Sequence, residues 1–240
     1  MNGFDAAVTA ASNAERRRAP RIGPIPKDAG RLPAYTPTIQ ELRGAPRRTG
    51  EASFFFFDQR FQFNAVKVLP GEYFVSDENM VIQTVLGSCI AACLWDSRTH
   101  VGGMNHFMLP EGDGADQSGR YGSYAMEVLI NEMMKLGARR ETLQAKVFGG
   151  GQVMANFSTL NVGERNTEFV QSYLATERIP VIAEDVLDIY PRKVVFFPVT
   201  GKAMVKRLAH VHPDLLADEK ARGSAAVVVR THHGGSVDLF

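Results

Sequence analysis

"VIQTVLGSCIAACLWDSRTHVGGMNHFML", residues 81–109, sets the character of the chain. It falls into three apolar runs, 81–86, 90–95 and 101–109, parted by Gly87-Ser88 and by a polar turn over 96–100. Each run is short, rich in β-branched or aromatic residues and bounded by turn formers, which predicts three successive strands. Upstream, "AVKVL" (65–69) reads as a strand closed by the turn "PGEY" (70–73), and the phenylalanines of 54–57 mark where dense apolar content begins. Downstream, "GDGADQSG" (112–119) reads as a loop. The segment 120–137 carries Met126, Leu129, Ile130, Met133 and Leu136 at helical spacing and stops at Gly137, an amphipathic helix. "LQAKVFGGG" (143–151) reads as a strand ending in a glycine turn, and 163–179 as a second helix with Phe169, Val170, Tyr173 and Leu174 on one face. Residues 180–186 and 193–199 read as strands, and "TGK" (200–202) as the turn of a hairpin. This mixture predicts one mixed α+β domain of roughly 150 residues over 61–207.

The flanks differ from this core. Residues 1–50 hold six of the twelve prolines and nine Lys+Arg against four Asp+Glu, with no sustained apolar period. Such a segment buries too little surface to offset its chain entropy. The expected organisation is a disordered basic, proline-rich tail over 1–52, a folded domain over 53–208 and an extension over 209–240. In that extension, 212–221 suits a short helix and "AAVVVR" (225–230) a strand. The run Arg16, Arg17, Arg18 reads as a solvated stretch of the tail.

Composition excludes several classes. The 240 residues are 45% hydrophobic and 22% charged with a net charge of +1, so no global field favours nucleic acid or a membrane surface. No apolar run reaches the roughly 18 residues needed to span a bilayer. The N-terminal stretch lacks the order of a signal peptide, because its basic cluster follows its weakly apolar part. A cytoplasmic protein is expected. Two cysteines are too few for a disulfide framework.

Both cysteines sit in one apolar run. Cys89 stands directly after Gly87-Ser88, and backbone N–H groups at such a turn lower a thiol pKa and hold an oxyanion. A cysteine nucleophile also needs a base within reach, and His106 follows 17 residues on. If 90–95 and 101–107 pair antiparallel about the turn near 96–100, Cys89 and His106 lie at the same end of the pair. The competing reading is an inert buried thiol and a satisfied core histidine. Cys93 shares the face of Cys89 but is enclosed by apolar neighbours, so it reads as core packing. No second Cys/His pair completes a metal site. "FGGGQ" (148–152) lacks the Gly-Lys-Ser/Thr ending of a phosphate loop. The histidines of "HVH" (210–212) and "HH" (232–233) read as surface.

"VLGSCIAACLWD", "GGMNHFMLP", "RYGSYAMEVLINEMMKLGA", "AKVFGGGQVM" and "NVGERN", in this order, resemble the CheD family, the chemoreceptor glutamine deamidases of bacterial chemotaxis. The likeness runs from about Phe61 to Leu208. It implies hydrolysis of particular glutamine side-chain amides on the cytoplasmic helices of chemoreceptors, giving glutamate and ammonia, without metal or organic cofactor. It implies a mixed-sheet α/β sandwich of the cysteine-hydrolase type, similar to that of bacterial toxins that deamidate glutamine, and a second partner in a CheC-type phosphatase. The family's catalytic cysteine falls on Cys89 and its histidine on His106; the chemistry of the turn adds the backbone N–H groups near Gly87 and Ser88 as the expected oxyanion site.

The family's third catalytic residue is a threonine on the strand before the cysteine. Thr84, five residues before Cys89, matches it. Gln83 matches a longer spacing and points to the opposite face of the strand. A backbone carbonyl is the remaining candidate for orienting His106. Because the substrate is a protein helix, the site is expected to be a shallow groove open to solvent. The alternatives are a non-catalytic adaptor that binds receptors or the phosphatase, and another cysteine amidohydrolase.

Overall fold

The computed structural model describes residues 36–109, 115–153 and 162–208. One five-stranded sheet is formed by β1 (Phe54–Asp58), β2 (Phe63–Lys67), β4 (Val81–Leu86), β9 (Arg192–Phe197) and β10 (Lys202–Arg207), in that order. The second is formed by β3 (Tyr73–Ser76), β6 (Gly102–Asn105), β5 (Ile90–Asp96), β7 (Leu143–Gly149) and β8 (Val181–Val186). Each sheet is mixed: β2 and β4 run parallel in the first, β7 and β8 in the second, and the other pairs are antiparallel. Helices α2 (Ala115–Lys135) and α3 (Val162–Thr176) pack on the second sheet. The chain is α+β, as its sequence predicts.

Strand β5 shows why the run "IAACLW" is apolar throughout. Ile90, Ala92 and Leu94 belong to the core between the second sheet and the helices, with Met126, Leu129, Ile130, Met133, Val170 and Leu174. Cys89, Ala91 and Cys93 belong to the core between the two sheets, with Ile82, Leu86, Met104 and Phe196. A strand buried on both faces loses the apolar/polar alternation of a half-exposed one.

Several expectations need correction. Helix α2 already begins at Ala115, so residues 115–119 of the expected loop are helical. Leu136 lies beyond the helix end and is 45% exposed, so it leaves the apolar stripe. Strand β3 follows the turn at 70–72 and is too short to show a pattern.

The largest correction concerns the tail. Within the expected disordered stretch, residues 36–52 are part of the fold. Helix α1 (Ile39–Gly44) starts at a capping box: Glu41 N–H donates to Thr38 Oγ1 (3.2 Å) and Thr38 N–H to Glu41 Oε2 (2.7 Å). Leu42 is buried between the sheets, Arg43 donates to Phe55 O, and the Arg47 guanidinium lies 4.6 Å from the Phe55 ring centre. Ala52 N–H donates to Tyr73 O, and Tyr73 N–H to Gly50 O. The rest of the tail, with Arg16 to Arg18, and the extension from 209 with its expected helix, strand and histidines lie outside the described residues.

A stability prediction follows from α1. Leu42→Ala should cost about 2–4 kcal/mol as a buried truncation, a fall of roughly 5–10 °C in the thermal midpoint. A chain begun at Ser53 should fall further. Unchanged midpoints in both would show that α1 adds nothing to the fold.

Candidate active site

The antiparallel β5–β6 pair sets Cys93 opposite Met104 and Trp95 opposite Gly102. The same register continues to a bridge between Ile90 and Phe107, closed by two backbone hydrogen bonds of 2.9 Å. Ile90 and Phe107 face the helices. Side chains alternate along a strand, so Cys89 and His106 face the space between the sheets, as diagonal neighbours across the pair. They lie at the same end of the pair, as the spacing predicts. The main chain of His106 is held from its other side: its N–H donates to Glu72 O (2.9 Å) and its carbonyl accepts from Gly71 N–H (2.7 Å).

Thr84 meets His106 across the sandwich. Its Oγ1 is 2.9 Å from His106 Nδ1 and 2.8 Å from Val68 O. A carbonyl only accepts, so the one hydroxyl proton of Thr84 goes to Val68. Towards His106 the hydroxyl must therefore accept, which puts a proton on Nδ1. In the neutral ring Nε2 is then the basic nitrogen. Gln83 does not share this geometry: its Nε2 donates to Asp58 Oδ2 (2.6 Å) on the outer face of the first sheet.

The turn carrying Cys89 is held by its carbonyls. Gly87 O accepts from Gly151 N–H (2.8 Å), Cys89 O from Gly150 N–H (2.8 Å) and Ser88 O from Asn166 Nδ2 (2.9 Å). The glycines of 149–151 are thus a backbone cradle. Gly149 has φ +113°, and a Cβ there would overlap the Cys89 carbonyl oxygen. A Cβ on Gly163, at the start of α3, would overlap the Gly150 carbonyl oxygen. The signal in the sequence was three successive residues without side chains, which permits such close approach.

In place of the expected open groove, the three candidate residues are buried. Cys89 is 0% exposed, Thr84 1% and His106 3%. The three side chains lie under the surface. Cys93 is packed between the sheets, and burial pushes its thiol pKa well up, against a smaller opposing pull from Lys146. Among the described residues no group of three His, Cys, Asp or Glu side chains suits a metal ion.

Comparison with known proteins bears on what such a site belongs to. The family model "CheD chemotactic sensory transduction" matches residues 108–207. A protein of Albidiferax ferrireducens named "Probable chemoreceptor glutamine deamidase CheD 1" is 68% identical over 202 residues, covering 84% of this chain and 86% of that one. This chain belongs to the CheD family. A CheD protein of Dechloromonas aromatica with the same printed name is 53% identical over 192 residues, covering 77% of this chain and 93% of the relative. Among solved structures, the hypothetical protein YfiH of Bacillus licheniformis is similar over 49% of this chain and 51% of that one, at 12% identity and a TM-score of 0.34, which is too low to carry an argument. The aligned 84% of the chain leaves too few residues at either end to exclude Thr84, Cys89 or His106.

Proposed function

We propose that this CheD protein is a protein-glutamine deamidase that converts glutamine side chains on chemoreceptor cytoplasmic helices to glutamate, releasing ammonia. The observation that carries the reading is the tautomer fixed by Thr84 beside Cys89, in a chain whose relatives are named for this activity. Cys89, His106 and Thr84 are the catalytic residues. His106 Nε2 takes the proton of Cys89 Sγ, and the sulfur adds to the amide carbon of the glutamine. Backbone N–H groups at Gly87 to Cys89 stabilise the oxyanion. The tetrahedral adduct collapses, its C–N bond breaks, and His106 returns the proton to the leaving ammonia. Water, deprotonated by His106, then adds to the thioester; the C–S bond breaks, glutamate leaves and the thiol is restored. No metal or organic cofactor enters these steps.

On this reading the two-sheet sandwich is of the cysteine-hydrolase type that glutamine-deamidating toxins use. The deamidase unit is 53–208, extended at its start by 36–52. The protein works in the cytoplasm, where the receptor helices are, and a CheC-type phosphatase is its second partner. No helix among the described residues is long and apolar enough to cross a membrane. Ammonia release separates the readings. A deamidase releases it from a receptor cytoplasmic fragment and not from free glutamine. A free-glutamine amidase does the reverse, and an adaptor releases none.

Thr84→Val keeps the shape and removes the hydroxyl that orients His106. Turnover should fall at least about tenfold, an effect of around 1.4 kcal/mol. Normal turnover in this variant with a strong loss in Gln83→Ala would move the orienting role to Gln83. Normal turnover in both would assign it to the backbone.

A further inference from the structure

One motif of the family resemblance, "NVGERN" (161–166), has no part in the chemistry described so far. Its last residue, Asn166, lies in the first part of α3, is fully buried, and makes two hydrogen bonds of 2.9 Å. Its Nδ2 donates to Ser88 O, in the turn that carries Cys89. Its Oδ1 accepts from Leu109 N–H, three residues beyond His106. A single side-chain amide therefore joins the segment of the nucleophile to the segment of the base. Both bonds are made by a group of neutral charge inside the fold, where breaking either one leaves a buried polar atom unsatisfied.

The first bond has a geometric consequence. Ser88 C=O and Cys89 N–H belong to one peptide unit, and the described chain has no cis peptide bonds. In a planar trans peptide the carbonyl and the N–H point in opposite directions. Asn166 draws the carbonyl towards the helix layer, so the Cys89 N–H points away from it, towards the side of the second sheet on which Cys89 itself is packed. Gly151 acts in the same way on the preceding unit, by holding Gly87 O.

We propose that Asn166 is a positioning residue for the deamidase reaction: it aims the Cys89 N–H at the developing oxyanion and fixes the spacing between Cys89 and His106. This rests on the deamidase reading given above. Oxyanion stabilisation depends on donors placed for the charge that develops in the transition state. Misaiming one therefore lowers kcat and leaves KM nearly unchanged. A residue that only held the fold together would lower the melting point and the amount of active enzyme, without changing either constant per folded molecule.

Asn166→Asp tests this. The variant keeps the acceptor for Leu109 N–H, loses the donor to Ser88 O, and brings a carboxylate to the turn of the nucleophile. On a receptor cytoplasmic fragment we expect kcat to fall at least about thirtyfold per folded molecule, with KM within about threefold. The midpoint of Cys89 alkylation by iodoacetamide against pH should move up, because a nearby negative charge disfavours the thiolate. That midpoint reports the thiol and not how often the buried site opens. Val170→Ala, a core truncation on the same helix, should lower the melting point yet keep kcat and the alkylation midpoint. Should Asn166→Asp not fold, Asn166→Ser, smaller and neutral, carries the same expectation for kcat. Wild-type kcat and midpoint in a folded Asn166 variant, or losses no larger than those of Val170→Ala, would overturn the proposal. If the wild-type protein releases no ammonia from the fragment, the deamidase reading fails by itself, and the alkylation midpoint still decides the role of Asn166 at the Cys89 turn.

Discussion

Cys89→Ala should lower deamidation of a receptor cytoplasmic fragment by on the order of 10⁴-fold or more, while Cys93→Ala keeps it within about threefold. Burial does not separate the two cysteines, since both are enclosed. Their surroundings do. Cys89 stands at the end of the β5–β6 pair diagonal to His106, on a turn whose three carbonyls are held from behind. Cys93 sits four residues further into β5, opposite Met104, and its thiol pKa is pushed up by burial. A thiol raised in this way stays protonated at neutral pH and is a poor nucleophile. Removing its sulfur opens a small core cavity, for which the expected cost is about 1 kcal/mol of stability and little activity. Equal losses of activity from both substitutions, with both proteins folded, would remove Cys89 from the role of nucleophile.

His106→Ala should be nearly as damaging as Cys89→Ala, and the double substitution scarcely worse than either. Members of a nucleophile–base unit act together: without the base the thiol is not activated, and without the sulfur there is nothing to activate. The geometry sharpens this expectation. Thr84 leaves His106 with its proton on Nδ1, so the nitrogen available as base is Nε2. The main chain of residue 106 is held at Glu72 O and Gly71 N–H, bonds that His106→Ala keeps, so the loss in that variant reports the imidazole. Losses that add on a logarithmic scale would mean that Cys89 and His106 contribute independently, against the paired mechanism.

Strands of both sheets, and the relative placement of Cys89, His106 and Thr84, were legible in the sequence. The runs at 81–86 and 90–95 match β4 and β5 closely, because their β-branched and apolar residues lie between clear turn formers. The 17-residue spacing of Cys89 and His106 foretold a shared end of one strand pair, since an antiparallel register is a matter of counting. Thr84 and Gln83 were separable by strand parity, and their observed partners, His106 and Asp58, lie on opposite faces. Other parts were hidden for physical reasons. Helix α1 is six residues long, too short for an apolar period, and the arginines and prolines around it resemble a disordered tail. Its signal was the capping box of Thr38 and Glu41, a threonine with a glutamate three residues later. The glycine cradle and the Asn166 clamp depend on backbone carbonyls, which carry no residue-specific signature. The burial of Cys89 depends on tertiary packing around the turn, which local pattern does not encode.

The central claim is tested most directly by mass spectrometry of a receptor cytoplasmic fragment incubated with this protein. The prediction is a mass increase of the amide-to-acid change at particular glutamines, ammonia released in equal amount, and neither with Cys89→Ala. A fragment unchanged after prolonged incubation with folded wild-type protein, or one changed equally by Cys89→Ala, would contradict it.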